Sequence, residues 1–372
     1  MAGHNEPEAG LAPVNLSPSG TPLTGPPRHA PSGPSIPVGN EQDEQEELVP
    51  DDVAQDAETG SSTDDQLSSY TASLTSSVVD YPIENGRRYH AFRSGSYFMP
   101  NDENEMERLD FAHSLTTMVL GDKLYVAPIV EENVHKVLDI GTGTGIWAIE
   151  AGDVLPNAEI CGVDLSAIQP EWTPPNVKFE VDDVESPWLG DRKYDFIVCR
   201  WMMGSIKDWP KLVKSIYENL NPGGWAEFLE PSGDYFSDDG TWTKDHATYK
   251  WNKSLLDGIA STGRESRPGA KLEGWVRDSG FENMTYKKCK VPLGTWPKDP
   301  YYKNLGWLNL KCVTDGLEGF TMRVFCGVLN FTKEETIVQL AEVRKELKDM
   351  HTFHAYYETH IVCGQKPLEE TE

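Results

Sequence analysis

The sequence predicts an α/β protein built on a mostly parallel seven-stranded sheet with helices on both faces. From residue 137 onward, short apolar runs alternate with helix-like segments, a pattern that implies right-handed crossovers between parallel strands. The first run, Val137-Leu138-Asp139-Ile140, leads into Gly141-Thr142-Gly143-Thr144-Gly145 and then Ile146-Trp147-Ala148-Ile149. That order reads as strand, glycine turn and helix start. Asp164 closes the next run and Asp182-Asp183 the third. On parallel sheets, ligands bind beyond the carboxyl ends of the strands, where these acids lie.

The elements follow in order. Residues 81–130 precede the first strand and read as a helical lid. Met106, Leu109, Phe111, Leu115, Met118 and Val119 form its apolar stripe, and Glu105, Arg108, Asp110 and Lys123 its polar face. The second strand is the run at 160–163 and the third that at 177–181. The fourth, 194–199, leads into Arg200-Trp201-Met202-Met203-Gly204. Asp208 opens a helix with Leu212, Val213, Ile216 and Leu220 on one face, stopped by Asn221-Pro222-Gly223-Gly224 before a fifth strand at 225–229. An insertion at 231–275 carries Tyr235, Phe236, Trp242, Tyr249 and Trp251, a spacing that suits an acceptor pocket or the core of a small helical cap. A sixth strand is expected at 284–293 and a second insertion at 295–331. Thr332-Lys333-Glu334-Glu335 is a capping box opening a helix with Leu340, Val343, Leu347 and Met350 on one face. The last strand, 355–363, reads as antiparallel and as the hairpin partner of the sixth.

The glycine turn argues for a nucleoside ligand without a phosphate. A dinucleotide loop, G-x-G-x-x-G, seats a pyrophosphate at the helix N-terminus. Here the third glycine comes one residue early, and no lysine of the Walker type is present. S-adenosylmethionine has no phosphate but carries an amino-acid end and a cationic sulfonium. Asp139 suits that positive charge, since a buried charge needs a partner. Gly141, Gly143 and Gly145 admit close backbone approach. Asp164, with Leu165 beside it, is placed for the ribose hydroxyls, Asp183 for the adenine amino group and the Val184 backbone for a ring nitrogen. A base is needed only for a hydroxyl or protonated-amine acceptor. His90, His113, His246 and Glu230 are the candidates, none is singled out, and no catalytic residue is assigned. Arg200 would hold an acidic acceptor, pair with a carboxylate, or have no special role.

These residues resemble the class I methyltransferases and, more narrowly, the fungal LaeA-like group. The resemblance covers residue 81 to about 366. It rests on Glu84-Asn85-Gly86-Arg87-Arg88-Tyr89-His90, Tyr97-Phe98-Met99-Pro100-Asn101-Asp102-Glu103, the glycine turn, Asp164-Leu165-Ser166-Ala167-Ile168-Gln169-Pro170, Gly204-Ser205-Ile206-Lys207-Asp208-Trp209-Pro210 and His354-Ala355-Tyr356-Tyr357. It implies a Rossmann-like class I methyltransferase fold, S-adenosyl-L-methionine as cofactor, and a lid in which Tyr89, His90, Arg93 and Tyr97 cover it. It also implies one of two roles: methylation of a small-molecule acceptor in secondary-metabolite biosynthesis, or regulation of secondary metabolism on protein or with a velvet-type partner in the nucleus. A binding module that keeps the fold without the chemistry is a third reading.

Composition sets further bounds. The chain has 372 residues and a formal net charge of −27. Residues 1–80 hold fourteen acids and one arginine and are rich in proline, glycine and serine, so a disordered tail is expected there. The remaining acidity disfavours direct nucleic-acid binding, which requires a basic surface. A polar N-terminus and the lack of a long apolar run predict an intracellular protein without a membrane span, in cytoplasm or nucleus. The six cysteines include no C-x-x-C pair. Cys161, Cys199 and Cys363 fall in expected strands as small apolar side chains, and no metal site is expected.

Overall fold

The carboxyl ends of the parallel strands converge on the glycine turn, and the rest of the fold encloses that end of the sheet. The computed structural model describes residues 78–349 and 353–368. The expected tail therefore lies, except for its last three residues, outside the described residues, as does Met350. The first strands of the described residues form a small hairpin, β1 (Ile83–Glu84) and β2 (Arg87–Arg88), followed by α1 (Glu103–Val119), β3 (Lys136–Ile140), α2 (Ile146–Val154), β4 (Glu159–Asp164), β5 (Val177–Val181) and β6 (Tyr194–Arg200). Then come α3 (Trp209–Asn219), β7 (Leu220–Phe236), α4 (Ala247–Ser261), α5 (Gly269–Asp278), β8 (Glu282–Pro292), α6 (Pro300–Gly327), α7 (Lys333–Lys348) and β9 (Tyr356–Gln365).

Seven of these strands form one sheet in the order β5-β4-β3-β6-β7-β9-β8. β3 pairs parallel with β4 and β6, and β9 runs antiparallel between β7 and β8. Strand order reverses between β3 and β6, which opens the crevice where sheets of this kind hold ligands. The fold is the Rossmann-like one expected from the alternation, including the antiparallel last strand. One face of the sheet packs Leu138, Ile140, Ile197 and Phe228 against α3 and α5. The other packs Val137, Ile160, Phe196 and Val198 against Trp147, Ala148 and Ala151 of α2. Cys161, Cys199 and Cys363 are buried free thiols.

Local chemistry explains the helix boundaries. The Asp208 carboxylate accepts the Lys211 N–H at 3.0 Å at the start of α3, and Pro210 sits where its missing donor costs nothing. Thr332 and Glu335 form both halves of the expected capping box.

Four segments depart from expectation. The lid is helical only over α1, because Pro82, Asn85-Gly86, Gly95 and Pro100 divide residues 81–102 into turns. Glu105, read as polar surface, is buried at 1% exposure, since Arg108 one turn later neutralises it with two hydrogen bonds. β7 begins at Leu220 and runs through the residues expected only to stop α3. The second insertion is the 28-residue helix α6, started by Asp299, whose carboxylate accepts the Tyr301 N–H at 2.8 Å. Its Gly306 is required by close packing, as a Cβ there would collide with the Gly294 carbonyl. No described helix is long and apolar enough to cross a membrane.

Thr332→Ala removes a cap whose typical worth is about 1 kcal/mol. Urea unfolding should show a lower midpoint with an unchanged slope, and an unmoved midpoint would mean α7 does not depend on its cap.

Candidate active site

The glycine turn leaves β3 with Gly141, Gly143 and Gly145 at φ of 70°, 57° and 80°, left-handed geometry that glycine adopts without strain. Its hydrogen bonds fix it on all sides. Gly143 N–H donates to Asp164 Oδ2 at 2.9 Å, and its carbonyl accepts from Gln169 Nε2 at 2.7 Å. Thr144 Oγ1 donates to Asp110 of α1 at 2.8 Å, and Thr142 Oγ1 to Asp139 Oδ2 at 2.6 Å. The other Asp164 oxygen accepts the Ser166 N–H at 3.0 Å. Burial lifts the Asp164 pKa to about 6 against those backbone donors.

A cavity of about 120 Å³ opens beside this carboxylate, with Gly141, Gly143, Asp164, Leu165, Asp183 and Val184 in its wall. Six of the eight residues expected at the ligand thus come together. Tyr97 and Asn101 of the lid line the opposite side, and Asn101 is tied to Ser166 at 3.2 Å. Asp183 turns part of its carboxylate to the Glu185 N–H at 3.0 Å and lies 3.7 Å from Arg93 Nε. Gly145 lines neither this cavity nor the next. It is the N-cap of α2 and gives way to the Phe179 ring, which a Cβ would strike. Asp139 is buried and lines the second cavity instead.

That second cavity, about 230 Å³, shares Tyr97, Leu109, Gly141, Gly143, Arg200 and Trp201 with the first. Its far wall is apolar and aromatic: Tyr235 of β7, Trp251 and Leu255 of α4, Val313 and Phe320 of α6, and Tyr357 of β9. Tyr357 meets Trp201 and Tyr235 edge-on, at 6.4 and 6.0 Å between ring centres. Trp201 holds a φ of 57°, rare for so bulky a residue. The turn after it is held by Glu230, whose Oε1 accepts the Met202 N–H at 2.7 Å. Burial pushes the Glu230 carboxyl up to about 8.

The four candidate bases separate cleanly. His90 uses Nδ1 on the Phe92 carbonyl and Nε2 on Tyr97, shaping the lid loop. His246 stacks on Trp242 outside both cavities, and Glu230 lines neither. Only His113 faces a cavity; its Nε2 lies 3.0 Å from Glu150 Oε2 and its buried Nδ1 has no partner. Of the aromatic insertion, Tyr235 and Trp251 line the cavity, while Trp242 packs on Phe353 in the core. The contributions of α6 and of Tyr357 went unread as site residues, because nothing local in the sequence marks them.

A Rossmann-like sheet in this order, with an acid-gripped glycine turn at the strand-order switch and acids beyond β4 and β5, defines a class I methyltransferase. Residues 87–286 match the family model described as a methyltransferase domain. The chain is 44% identical over 296 residues to methyltransferase pytC of Aspergillus terreus, covering 79% of this chain and 91% of that one. It is 39% identical to the secondary metabolism regulator LAE1 of Cochliobolus heterostrophus, covering 77% and 95%. Among solved structures it is similar to Haemonchus contortus phosphoethanolamine N-methyltransferase 2, at 14% identity and a TM-score of 0.40, covering 82% and 75%. The chain belongs to the methyltransferase-domain family, among its fungal LaeA-like members, and is an S-adenosylmethionine-dependent methyltransferase.

The raised Glu230 pKa has a definite sign in stability. Between pH 4.5 and 8 the folded state holds a proton that the unfolded chain has lost, so stability falls as pH rises through that window. From pH 6 to 8.5 the melting temperature of the wild type should fall further than that of Glu230→Gln. Parallel profiles would show that Glu230 is ionised throughout.

Proposed function

We propose that this protein transfers the methyl group of S-adenosylmethionine to a small-molecule acceptor in fungal secondary metabolism. The observation that carries this reading is the pairing of two cavities across one wall, one beside Asp164 and Asp183, the other apolar and ringed by aromatic side chains. In this reading Asp164 takes the ribose hydroxyls, with Leu165 against the sugar. Asp183 and the Val184 backbone take the adenine edge, while Asp139, Gly141 and Gly143 face the amino-acid end. Gly145 acts one step back, by setting the turn.

The residues present fit that cofactor. Gly141 and Gly143 present bare backbone to both cavities, and the acids at the strand ends complement a cationic ligand. Bound there, S-adenosylmethionine supplies an activated methyl group on a good leaving group. The protein's part is alignment and exclusion of water. The aromatic and apolar lining of the second cavity, Tyr235 and Tyr357 among it, keeps water from the reacting pair. Of the four candidate bases His113 is the one on a cavity wall, but its Nε2 is taken by Glu150 and its Nδ1 is buried, so no residue is assigned to take a proton from a hydroxyl acceptor.

Similarity to a secondary metabolism regulator supports a second reading, a regulatory role; action on protein or within a nuclear velvet-type complex is the form of that role the LaeA-like resemblance implies. A cofactor-binding module without turnover is the third. Incubation with methyl-labelled cofactor and a fungal extract separates them. Label in the small-molecule fraction supports the proposal, label in protein supports the regulator, and label in neither supports the module.

Asp164→Ala should weaken S-adenosylhomocysteine binding at least about tenfold, the equivalent of about 1.4 kcal/mol. Calorimetry is the check, and unchanged affinity would remove Asp164 from the ribose.

A further inference from the structure

Arg200 closes β6 and lies in the wall common to both cavities. Its guanidinium sits over the Trp147 ring at 5.1 Å. Among the described residues no hydrogen bond or ion pair occupies its donors. Arg200 is half-buried, so the five N–H groups of its planar fork stay open to the cavity space it borders. Arg108, the other guanidinium on the cavity wall, is by contrast bound twice to Glu105.

The carboxylates around Arg200 act on it through space only: Asp139, Glu227 and Glu150. Each has its own anchor. Glu227 accepts the Val126 and Ala127 N–H groups, Glu150 meets His113, and Asp139 accepts Thr142 Oγ1. Asp139 and Arg200 thus border one cavity as an anion and a cation that do not join. This arrangement is complementary to a zwitterion, whose ammonium would face Asp139 and whose carboxylate would face the guanidinium fork.

We infer that Arg200 anchors the α-carboxylate of the methyl donor, and so makes the enzyme select the intact amino-acid end of that molecule. The inference rests on the cofactor reading above and adds a residue that it leaves without a role. The donor's carboxylate is favoured over one on the acceptor because Arg200 also lines the cavity beside Asp164. A chain leaving the nucleoside along Gly141 and Gly143 reaches it first.

The test compares S-adenosylhomocysteine with 5′-deoxy-5′-(3-aminopropylthio)adenosine, which lacks only the carboxylate, by calorimetry on the wild type, Arg200→Met and Arg200→Lys. The wild type should prefer S-adenosylhomocysteine by at least about tenfold. Arg200→Met should lose most of that preference through weaker S-adenosylhomocysteine binding alone, and Arg200→Lys should keep part of it. The decarboxylated ligand, bound as in the wild type, reports that the variants are folded. A preference that survives in Arg200→Met, or is missing from the wild type, overturns the inference. So does equal weakening of both ligands, which would mark Arg200 as structural. A wild type that binds neither ligand would overturn the cofactor reading itself, and this inference with it.

Discussion

One device recurs wherever a loop must be held against the sheet: a single carboxylate receives the N–H groups of neighbouring residues. Asp195 holds His135 and Lys136 at the entry to β3. Glu227 holds Val126 and Ala127, Glu185 holds Lys207 and Asp208, and Glu346 holds Ala247 and Thr248. Glu230 does the same for the turn after Trp201, and Asp164 spans Gly143 and Ser166. Charged acceptors make stronger bonds than neutral ones, and a buried carboxylate has to find donors. Glu227 and Glu230 are fully buried and each fixes a segment as a condition of that burial, whereas Asp195, Glu185 and Glu346 do so from half-buried positions. The walls of both cavities are set by this exchange.

The same chemistry governs the electrostatics of the site. Asp139 and Asp164 lie at or next to strand ends and Glu227 and Glu230 inside β7, and burial raises the pKa of each. Of the two guanidiniums on the cavity walls, Arg108 is already neutralised by Glu105, which leaves Arg200 as the unpaired cation. Asp139, Asp164 and Asp183 outnumber that one cation on the cavity walls, which favours a ligand that brings positive charge of its own, as a sulfonium with an ammonium does. The acidity of the chain thus bears on function at this end of the sheet, whereas elsewhere it serves solvation.

Sequence reading worked where chemistry is local. A glycine turn after an apolar run, an acid at a strand tip and a capping box each declare themselves within a few residues, and the seven strands followed from them. It failed where tertiary packing decides. α6 hides its helical character behind glycines such as Gly306, which are there for close approach to Gly294. Glu105 reads as surface until Arg108 is seen to neutralise it. Gly145 reads as a ligand contact, yet its lack of a side chain serves Phe179. The second cavity gathers His113, Trp201, Tyr235, Trp251, Val313 and Tyr357, which lie far apart in the chain, so no window of sequence carries its signal.

Trp201 shows how these constraints combine. A left-handed backbone at a tryptophan costs on the order of 1–3 kcal/mol and persists only where its surroundings over-determine it. Here its N–H donates to the Leu229 carbonyl at 3.1 Å, its indole N–H to Thr116 at 2.8 Å, and Glu230 grips the next residue. Three anchors from β7 and α1 thus hold a strained residue in the wall between the two cavities. The strain therefore goes with position: it fixes the indole where the two cavities meet, beside Gly141, Gly143 and Arg200.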